Sequence, residues 1–406
     1  MTEIANTPEL RFPNYENSWF SYKLNDISER VTRKNKNLES QRPLTISGQL
    51  GLIDQIEYFN KSVSSKNLTG YTLIKKGEFA YNKSYSNGYP LGAIKKLERY
   101  DLGILSSLYI CFSFDENIDK SFMKNYFEST KWYREVANIA VEGARNHGLL
   151  NIPVNDFFNI NINLPIQYEQ EKIGEFFSKL DQQIELEEQK LEKLEEQKKG
   201  YMQQIFSQKL RFKDENGNDY PNWETEKLGN LINEVNERTK SNNQYVLLSS
   251  TKNGLLSQEE YFKKQIGSKD STGYKVLRLN QLVLSPQNLW LGNINFNQRF
   301  DIGIVSPSYR IYNLSHHFDI NFAKNLLKSP RYIYEYAQAS EQGASVVRRN
   351  LNLDLFYSIK ISLPSIEEQR KIGVFLNKLD KLIEKQSNEI ELLKQRKKGL
   401  LQKMFV

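Results

Sequence analysis

The sequence predicts an α+β protein built as a tandem duplication, two mixed α/β domains separated by a long antiparallel two-helix coiled coil. Residues 164–206 return 199 residues later as 363–405 without a gap, with about 20 of 43 positions identical. Inside each copy the apolar residues fall on an alternating 4-3 spacing, the heptad seam of a helix that packs lengthwise against another helix. The segments preceding the two helices repeat as well, so the chain is one unit of roughly 200 residues, domain then helix, written twice.

The first seam runs Ile173, Phe177, Leu180, Ile184, Glu187, Leu191, Leu194, Lys198, Tyr201, Ile205, and the second Ile372, Leu376, Leu379, Ile383, Gln386, Ile390, Leu393, Lys397, Leu400, Met404. Both turn polar at the same two places, Glu187 and Lys198 matching Gln386 and Lys397. A solvated amphipathic helix has no use for matched interruptions, whereas a paired coil uses them to fix register at some cost in stability. About 155 residues separate the helices, enough for one compact domain whose ends usually lie close together. The second helix therefore starts beside the end of the first and runs back along it, which returns Met404, Phe405 and Val406 toward the first domain. At ~1.5 Å per residue, roughly 39 helical residues span about 58 Å.

Within the domains, Leu10-Arg11-Phe12 is echoed by Leu210-Arg211-Phe212, Trp19 and Leu24 by Trp223 and Leu228, and Glu57-Tyr58-Phe59 by Glu260-Tyr261-Phe262. After Gly70-Tyr71 and Gly273-Tyr274 the offset drops from 203 to 200, so the second domain is three residues shorter in its middle. Runs such as Tyr71–Ile74, Phe79–Tyr81 and Ser107–Phe112 predict strands. A helical period covers 118–141 in the first domain and 319–339 in the second. The joint 213–222, KDENGNDYPN, is a polar Gly/Asn/Pro turn segment. Two loops drift between the copies: 82–96 against 285–299, and the stretch after Gly143 against that after Gly343.

Composition narrows the function classes. With 56 basic and 49 acidic residues the net charge is +7 and the pI near 9.0, which suits a polyanionic partner. No run of 18 apolar residues and no secretory leader pattern occurs in the sequence, so the expectation is a chain of the cytoplasm that does not contact membrane. Cys111 stands alone in the apolar run LYICFSF and reads as a buried strand residue. Phosphate-loop, H-E-x-x-H and Cys/His metal patterns are all missing, as is the Asn-Pro-Pro-Tyr type of tetrapeptide used by adenine methyltransferases. His147, His316 and His317 read as solvated surface residues. No catalytic residue and no metal site is expected.

The doubled pattern Leu164-Pro165, Glu169-Gln170, Lys172-Ile173-Gly174, Phe176 and Leu363-Pro364, Glu368-Gln369, Lys371-Ile372-Gly373, Phe375 is followed in both copies by Leu-Asp and Lys-Lys-Gly. With the closing Gln402-Lys403-Met404-Phe405 and the joint RFKDENGNDYPNW, it resembles the DNA-specificity subunit of Type I restriction–modification systems. The resemblance implies target-recognition domains at 1–163 and 208–362, a central conserved spacer helix at 164–207 and a C-terminal one at 363–406. It implies that each domain reads one half of a bipartite, asymmetric site on double-stranded DNA. It also implies partners: two modification (methyltransferase) subunits that bind S-adenosylmethionine, and restriction (translocase/nuclease) subunits that use ATP and Mg. On that reading the chain itself is a non-catalytic subunit with no bound cofactor. The competing expectation is a coiled-coil scaffold with two protein-binding heads, which would show no salt-dependent DNA binding.

The drifting loops supply the candidate DNA-binding residues. In the first domain these are Ser47, Gln49, Lys83, Ser84, Tyr85, Asn87, Arg145, Asn146 and His147; in the second, Ser250, Lys252, Ser285, Gln287, Asn288, Asn293, Arg348 and Arg349. Amides bond bidentately to adenine edges, while Lys83, Arg145, Arg348 and Arg349 suit phosphates. If the paired helices set the spacing between half-sites, inserting a second Leu-Glu-Lys-Leu after Leu194 adds about 6 Å of helix, nearly two base pairs at ~3.4 Å each. Four residues are close to one helical turn, so the seam takes only a stutter. Selection of bound duplexes should then return the same half-sequences with a spacer longer by one or two base pairs; an unchanged spacer would reduce the helices to a tether.

Overall fold

The computed structural model describes residues 6–61, 63–86, 88–140, 150–251, 254–262, 270–342 and 349–406. The chain divides into two compact units, one formed by 1–188 with 388–406 and the other by 189–387. The division falls inside each long helix, not at its ends. The helices span Gln167–Phe206 and Ile366–Lys403, and each donates its two halves to different hydrophobic cores.

In the first unit the four-stranded antiparallel sheet has the order Ser28–Arg30, Tyr109–Phe114, Phe79–Asn82, Ala93–Lys96. Three two-stranded pairs surround it: Phe20–Lys23 with Asn161–Leu164, Leu44–Ser47 with Gly51–Asp54, and Thr72–Lys75 with Leu102–Leu105. The second unit repeats this scheme, with Ile232–Val235, Arg310–Leu314, Leu282–Leu284 and Ile294–Phe296 as its sheet. It also carries the pair Ser340–Gln342 with Arg349–Leu351. Cys111 lies buried on the central strand, where loss of hydration pushes its thiol up to about 12. No helix among the described residues is long and apolar enough to cross a membrane.

The helical period over 118–141 resolves into two helices, Lys120–Glu128 and Tyr133–Ile139. Ser129 breaks the run by turning its hydroxyl and its N–H back on the Tyr126 carbonyl, the local competition that makes serine a poor interior helix residue. In the second unit Ile320–Leu326 and Pro330–Gln338 are separated before Pro330, whose ring and missing N–H forbid continuation. The joint after Phe212 is a tight turn in which Asp214 Oδ1 accepts from the N–H groups of Asn216 and Asn218, with Gly217 at φ 85°.

Each core needs both long helices. In the first unit Ile173 and Phe177 of one helix join Leu401, Met404 and Phe405 of the other inside the cluster built on Trp19, Phe122 and Tyr126. In the second, Ile372, Leu376 and Leu379 meet Ile205 against Phe322, Tyr332 and Tyr336. The predicted return of the chain end to the first domain is thus realised by the Phe405 ring, wedged among Phe122, Phe177, Tyr126 and Trp19. Leu10 N–H donates to the Lys403 carbonyl at 2.9 Å, and its counterpart Leu210 N–H to the Gln204 carbonyl at 3.1 Å. What is a continuous chain in one unit is a junction of the chain's two ends in the other.

Within each unit the helix segments run antiparallel. Asp181 and Glu188 meet Lys397 and Lys394 in the first, while Lys198 and Tyr201 meet Asp380 and Phe375 in the second. The predicted seam residues Ile173, Phe177, Ile184, Ile372, Leu376, Leu379 and Ile390 are buried, and Leu180, Leu191, Leu194, Ile383 and Leu393 half-buried. One matched polar interruption has a reciprocal use: Lys198 Nζ lies 2.5 Å from Asp380 Oδ1, and Lys397 Nζ 2.5 Å from Asp181 Oδ1. An ion pair at one seam position penalises any slipped register, in which a half-buried ammonium would face Leu or Ile.

The repeated Glu-Gln-x-x-x-Gly segment docks the domain on its helix. Glu169, fully buried, takes a bidentate bond from Arg11 at 2.8 Å to each oxygen, and Glu368 does the same with Arg211 at 3.0 and 2.7 Å. Gln170 Oε1 accepts the Asp119 N–H, and Gln369 Oε1 the Asp319 N–H; both aspartates cap the domain helix that follows. Gly174 and Gly373 permit this approach. A Cβ on Gly174 would stand 2.4 Å from Asp119 Oδ1, and one on Gly373 2.8 Å from Asn321 Cβ.

Gly200 and Gly399 face open space. Gly174→Ala should therefore cost about 1–3 kcal/mol through forced displacement of the capped turn, while Gly200→Ala should stabilise the isolated chain by about 0.5–1 kcal/mol. Urea unfolding of the two variants checks both signs.

Candidate nucleic-acid interface

In each domain three loops converge. Two of them are joined by a backbone hydrogen bond at matching places: Leu150 N–H to the Lys83 carbonyl at 2.8 Å, and Arg349 N–H to the Gln287 carbonyl at 3.2 Å. The residues that follow 141–149 and 343–348 therefore lie against the drifting hairpin loop of their own domain. The third is the hairpin turn after Leu44–Ser47 or Leu248–Thr251. Tyr89 Oη ties it in the first domain by donating to the Gly48 carbonyl at 2.7 Å, and Asn293 ties it in the second. Gly92 and Gly292 hold positive φ at the far end of the drifting hairpin, and a Cβ on Gly92 would meet the Asn82 carbonyl oxygen at 2.2 Å.

The structure sorts the candidate residues. Gln49, Tyr85 and Gln287 are exposed, Tyr85 at 61%. Lys83, Ser84 and Asn288 are half-buried. Among the described residues no carboxylate pairs with Lys83 or with Arg349, whose Nη1 donates to the Ala337 carbonyl at 3.5 Å. Arg349 is not a free surface arm, however. Its guanidinium lies 4.3 Å from the Trp290 ring centroid, on the loop that also holds Gln287. This stack was not visible in the sequence, because Trp290 and Arg349 lie far apart in it and Trp290 has no counterpart in the first copy. Asn87, Arg145, Asn146, His147, Lys252 and Arg348 lie outside the described residues.

Four candidates are buried. Ser250 and Asn293 are buried and spend their polar groups on each other: the Ser250 hydroxyl donates to Asn293 Oδ1 at 2.6 Å, and Asn293 Nδ2 donates to the Ser250 carbonyl at 2.9 Å. Asn295 Nδ2 completes the set by donating to Ser250 Oγ at 2.8 Å and to the Thr251 carbonyl at 2.8 Å. Ser47 is buried and its hydroxyl accepts the Leu50 N–H, closing the turn. Ser285 is buried beneath Asn293, to whose carbonyl its N–H donates. These four build the platform that carries the loops.

No group of three or more His, Cys, Asp or Glu residues able to hold a metal ion occurs among the described residues. The chemistry the described loop residues present is amides, hydroxyls, an exposed tyrosine ring and the cations Lys83 and Arg349. The two domains present different members of it on one backbone frame.

The comparisons with known proteins agree with this geometry. Residues 222–392 match the family described as the Type I restriction modification DNA specificity domain. Over 321 residues, 73% of this chain and 69% of the relative, the chain is 24% identical to the Type I restriction enzyme MjaVIII specificity subunit of Methanocaldococcus jannaschii. Two solved structures share the fold at 16% identity. One is a chain from work on complex assembly and conformational transition of the type I R-M system, with a TM-score of 0.56 over 96% of this chain and 99% of that one. The other is the Type-I restriction-modification system S subunit from M. genitalium, with a TM-score of 0.55 over 98% and 99%. The matched segment is the second copy of the duplication, and the first copy repeats its sheet order, its Arg–Glu docking and its loop-to-loop hydrogen bond. Residues 222–392 are thus similar to the Type I restriction modification DNA specificity domain, and the whole chain shares the fold of the solved S subunit.

Proposed function

We propose that this chain reads a bipartite, asymmetric site on double-stranded DNA, one half with each domain, and directs two modification subunits and the restriction subunits to it. The observation that carries this is the pair of loop platforms: one backbone frame, closed in both domains by a backbone hydrogen bond between the corresponding loops, holds unlike side chains at its surface. Two readers with different loops require an asymmetric composite site. The exposed amide of Gln287 suits a base edge, and Lys83 suits a phosphate.

Arg349 combines two tasks, since stacking on Trp290 leaves part of a planar donor fork free. Methyl transfer and cleavage belong to the partner subunits on this reading, with S-adenosylmethionine, ATP and Mg bound there. The working location is the cytoplasm, where the DNA is.

Two measurements test it. The full chain with its modification subunits should bind DNA with an affinity that falls steeply with salt and should select a split sequence, whereas the chain alone should transfer no labelled methyl group. Binding indifferent to salt and sequence would overturn the reading.

Within the second domain, Gln287→Ala should relax discrimination at one base pair by roughly 1–3 kcal/mol without changing the unfolding midpoint. Asn293→Ala should do the reverse, losing about 1–3 kcal/mol of stability because Ser250 is left buried and under-bonded.

A further inference from the structure

The two units differ in charge beside the helix pair, at positions the duplication makes equivalent. In the first unit Lys124 lies between Glu98 at 2.9 Å and Asp181 at 3.2 Å, Lys397 also binds Asp181, and Lys95 binds Glu128 at 2.6 Å. Burial opposes the charge on Lys124, yet Glu98 and Asp181 raise its pKa overall. In the second unit Glu98 is replaced by Gln298, Glu128 by Lys328 and Lys95 by Asn295. Lys324 reaches Gln298 at 3.2 Å and Asp380 at 3.6 Å, Lys198 binds Asp380 at 2.5 Å, and Lys328 bonds Asn295 Oδ1 at 2.5 Å. Lys198 and Lys324 share the Asp380 carboxylate, and Lys328, bonded to the Asn295 amide, lies within electrostatic reach of both lysines and of Asp380. Burial and mutual repulsion lower the pKa of Lys328, and burial with repulsion from Lys198 lowers that of Lys324.

The second unit also has a groove of about 720 Å³, lined by Glu195, Lys198, Asp380 and Arg331 together with Trp223 and Phe206. Its cause is loss of bulk. Tyr126 and Phe177, which enclose Phe405 in the first unit, are Leu326 and Leu376 here. Thr130, whose hydroxyl bridges to Gln402 at 2.8 Å, is Pro330. Phe405 and Trp19 are buried, whereas Phe206 and Trp223 are only half-buried.

The geometry points to a binding site for a phosphate group at Lys198, Lys324 and Lys328, at the edge of this groove. A phosphate dianion brings the three ammonium groups and Asp380 to neutrality, and it has enough acceptor oxygens to take a charge-assisted bond from each lysine. A single carboxylate would leave one buried cation unmatched. The site lies beside the helix pair and meets the underside of the loop platform at Asn295, whose Oδ1 accepts from Lys328. The phosphate could be that of a DNA backbone or a free phosphoanion.

Competitive acylation of the full chain, read residue by residue by mass spectrometry, tests the site, with Lys124 as the internal control. In phosphate-free buffer, adding inorganic phosphate at ten times its Kd should slow acylation of Lys324 and Lys328 about tenfold by mass action and leave Lys124 unchanged. A short DNA duplex in place of phosphate identifies the source: protection by the duplex alone assigns the site to a backbone phosphate, and protection by inorganic phosphate assigns it to a free phosphoanion. Installing the first unit's carboxylates, Gln298→Glu with Lys328→Glu, should abolish protection of Lys324. The reciprocal set, Lys95→Asn with Glu98→Gln and Glu128→Lys, should create protection at Lys124. Protection by neither anion, or equal slowing of Lys124 and Lys324 in the unaltered chain, would overturn the assignment.

Discussion

The structure depends on one docking contact, used twice: a buried glutamate on the long helix held bidentately by the arginine of Leu-Arg-Phe, beside a glutamine that accepts the N–H of a helix-capping aspartate. A carboxylate stripped of water is costly unless fully bonded, and Glu169 and Glu368 reach that state only when the domain's first segment lies across the helix. The glycine four residues after each glutamine admits the capped turn at a distance no side chain would allow. The contact therefore adds less to stability than to uniqueness, since a rotated or shifted domain would strand the carboxylate and the amide together. Once it is made, the domain sheet, the first turn of its helix and the apolar face of the long helix are fixed relative to one another.

A consequence is that neither domain is complete within its own stretch of sequence. Ile205 closes the second core from the helix that follows the first domain, and Met404 with Phe405 closes the first core from the far end of the chain. Duplication alone does not require this. It follows because an antiparallel pair brings the end of one helix beside the start of the other, and the apolar surface at that end must be covered by whichever domain is there. The junction of Leu10 with Lys403 repeats the continuous connection from Gln204 to Leu210 in hydrogen-bond pattern. The chain's two ends are thus held by the same forces that shape an ordinary turn.

Much of this was legible in the sequence because the seam is a long periodic signal, and local exceptions do not erase it. The polar interruptions were legible as register devices, but their partners, Asp181 and Asp380, lie off the seam and only the folded pair reveals them. The repeated Glu-Gln pair was visible as a signature and silent about its task, because the arginine it binds lies about 158 positions away. The helix over 118–141 was misread as continuous: Ser129 is an ordinary residue by propensity, and its hydroxyl's return to a carbonyl decides the break. Asn293 and Ser250 were misread as surface for a related reason. Short polar side chains on a strand pattern look solvated, and whether another strand's polar group comes opposite is a fact of tertiary register. Trp290 and Arg349 went unpaired because nothing local links a short turn to a strand some sixty residues on.

The loop platforms show how such a protein can change what it reads without refolding. The bond that joins the two variable loops runs from a backbone N–H to a backbone carbonyl, so it survives any replacement of the side chains at Lys83, Leu150, Gln287 or Arg349 except a proline at the donor. The polar side chains that support the platform from beneath, Ser250, Asn293 and Asn295, are buried and mutually satisfied, and a change in any one leaves the others under-bonded. Freedom at the surface and constraint beneath it have the same origin: main-chain bonds are indifferent to residue type, and buried side-chain networks are not. Two copies evolving under those rules keep their frame and exchange their loop residues, and here they also differ in the ion pairs beside the helices.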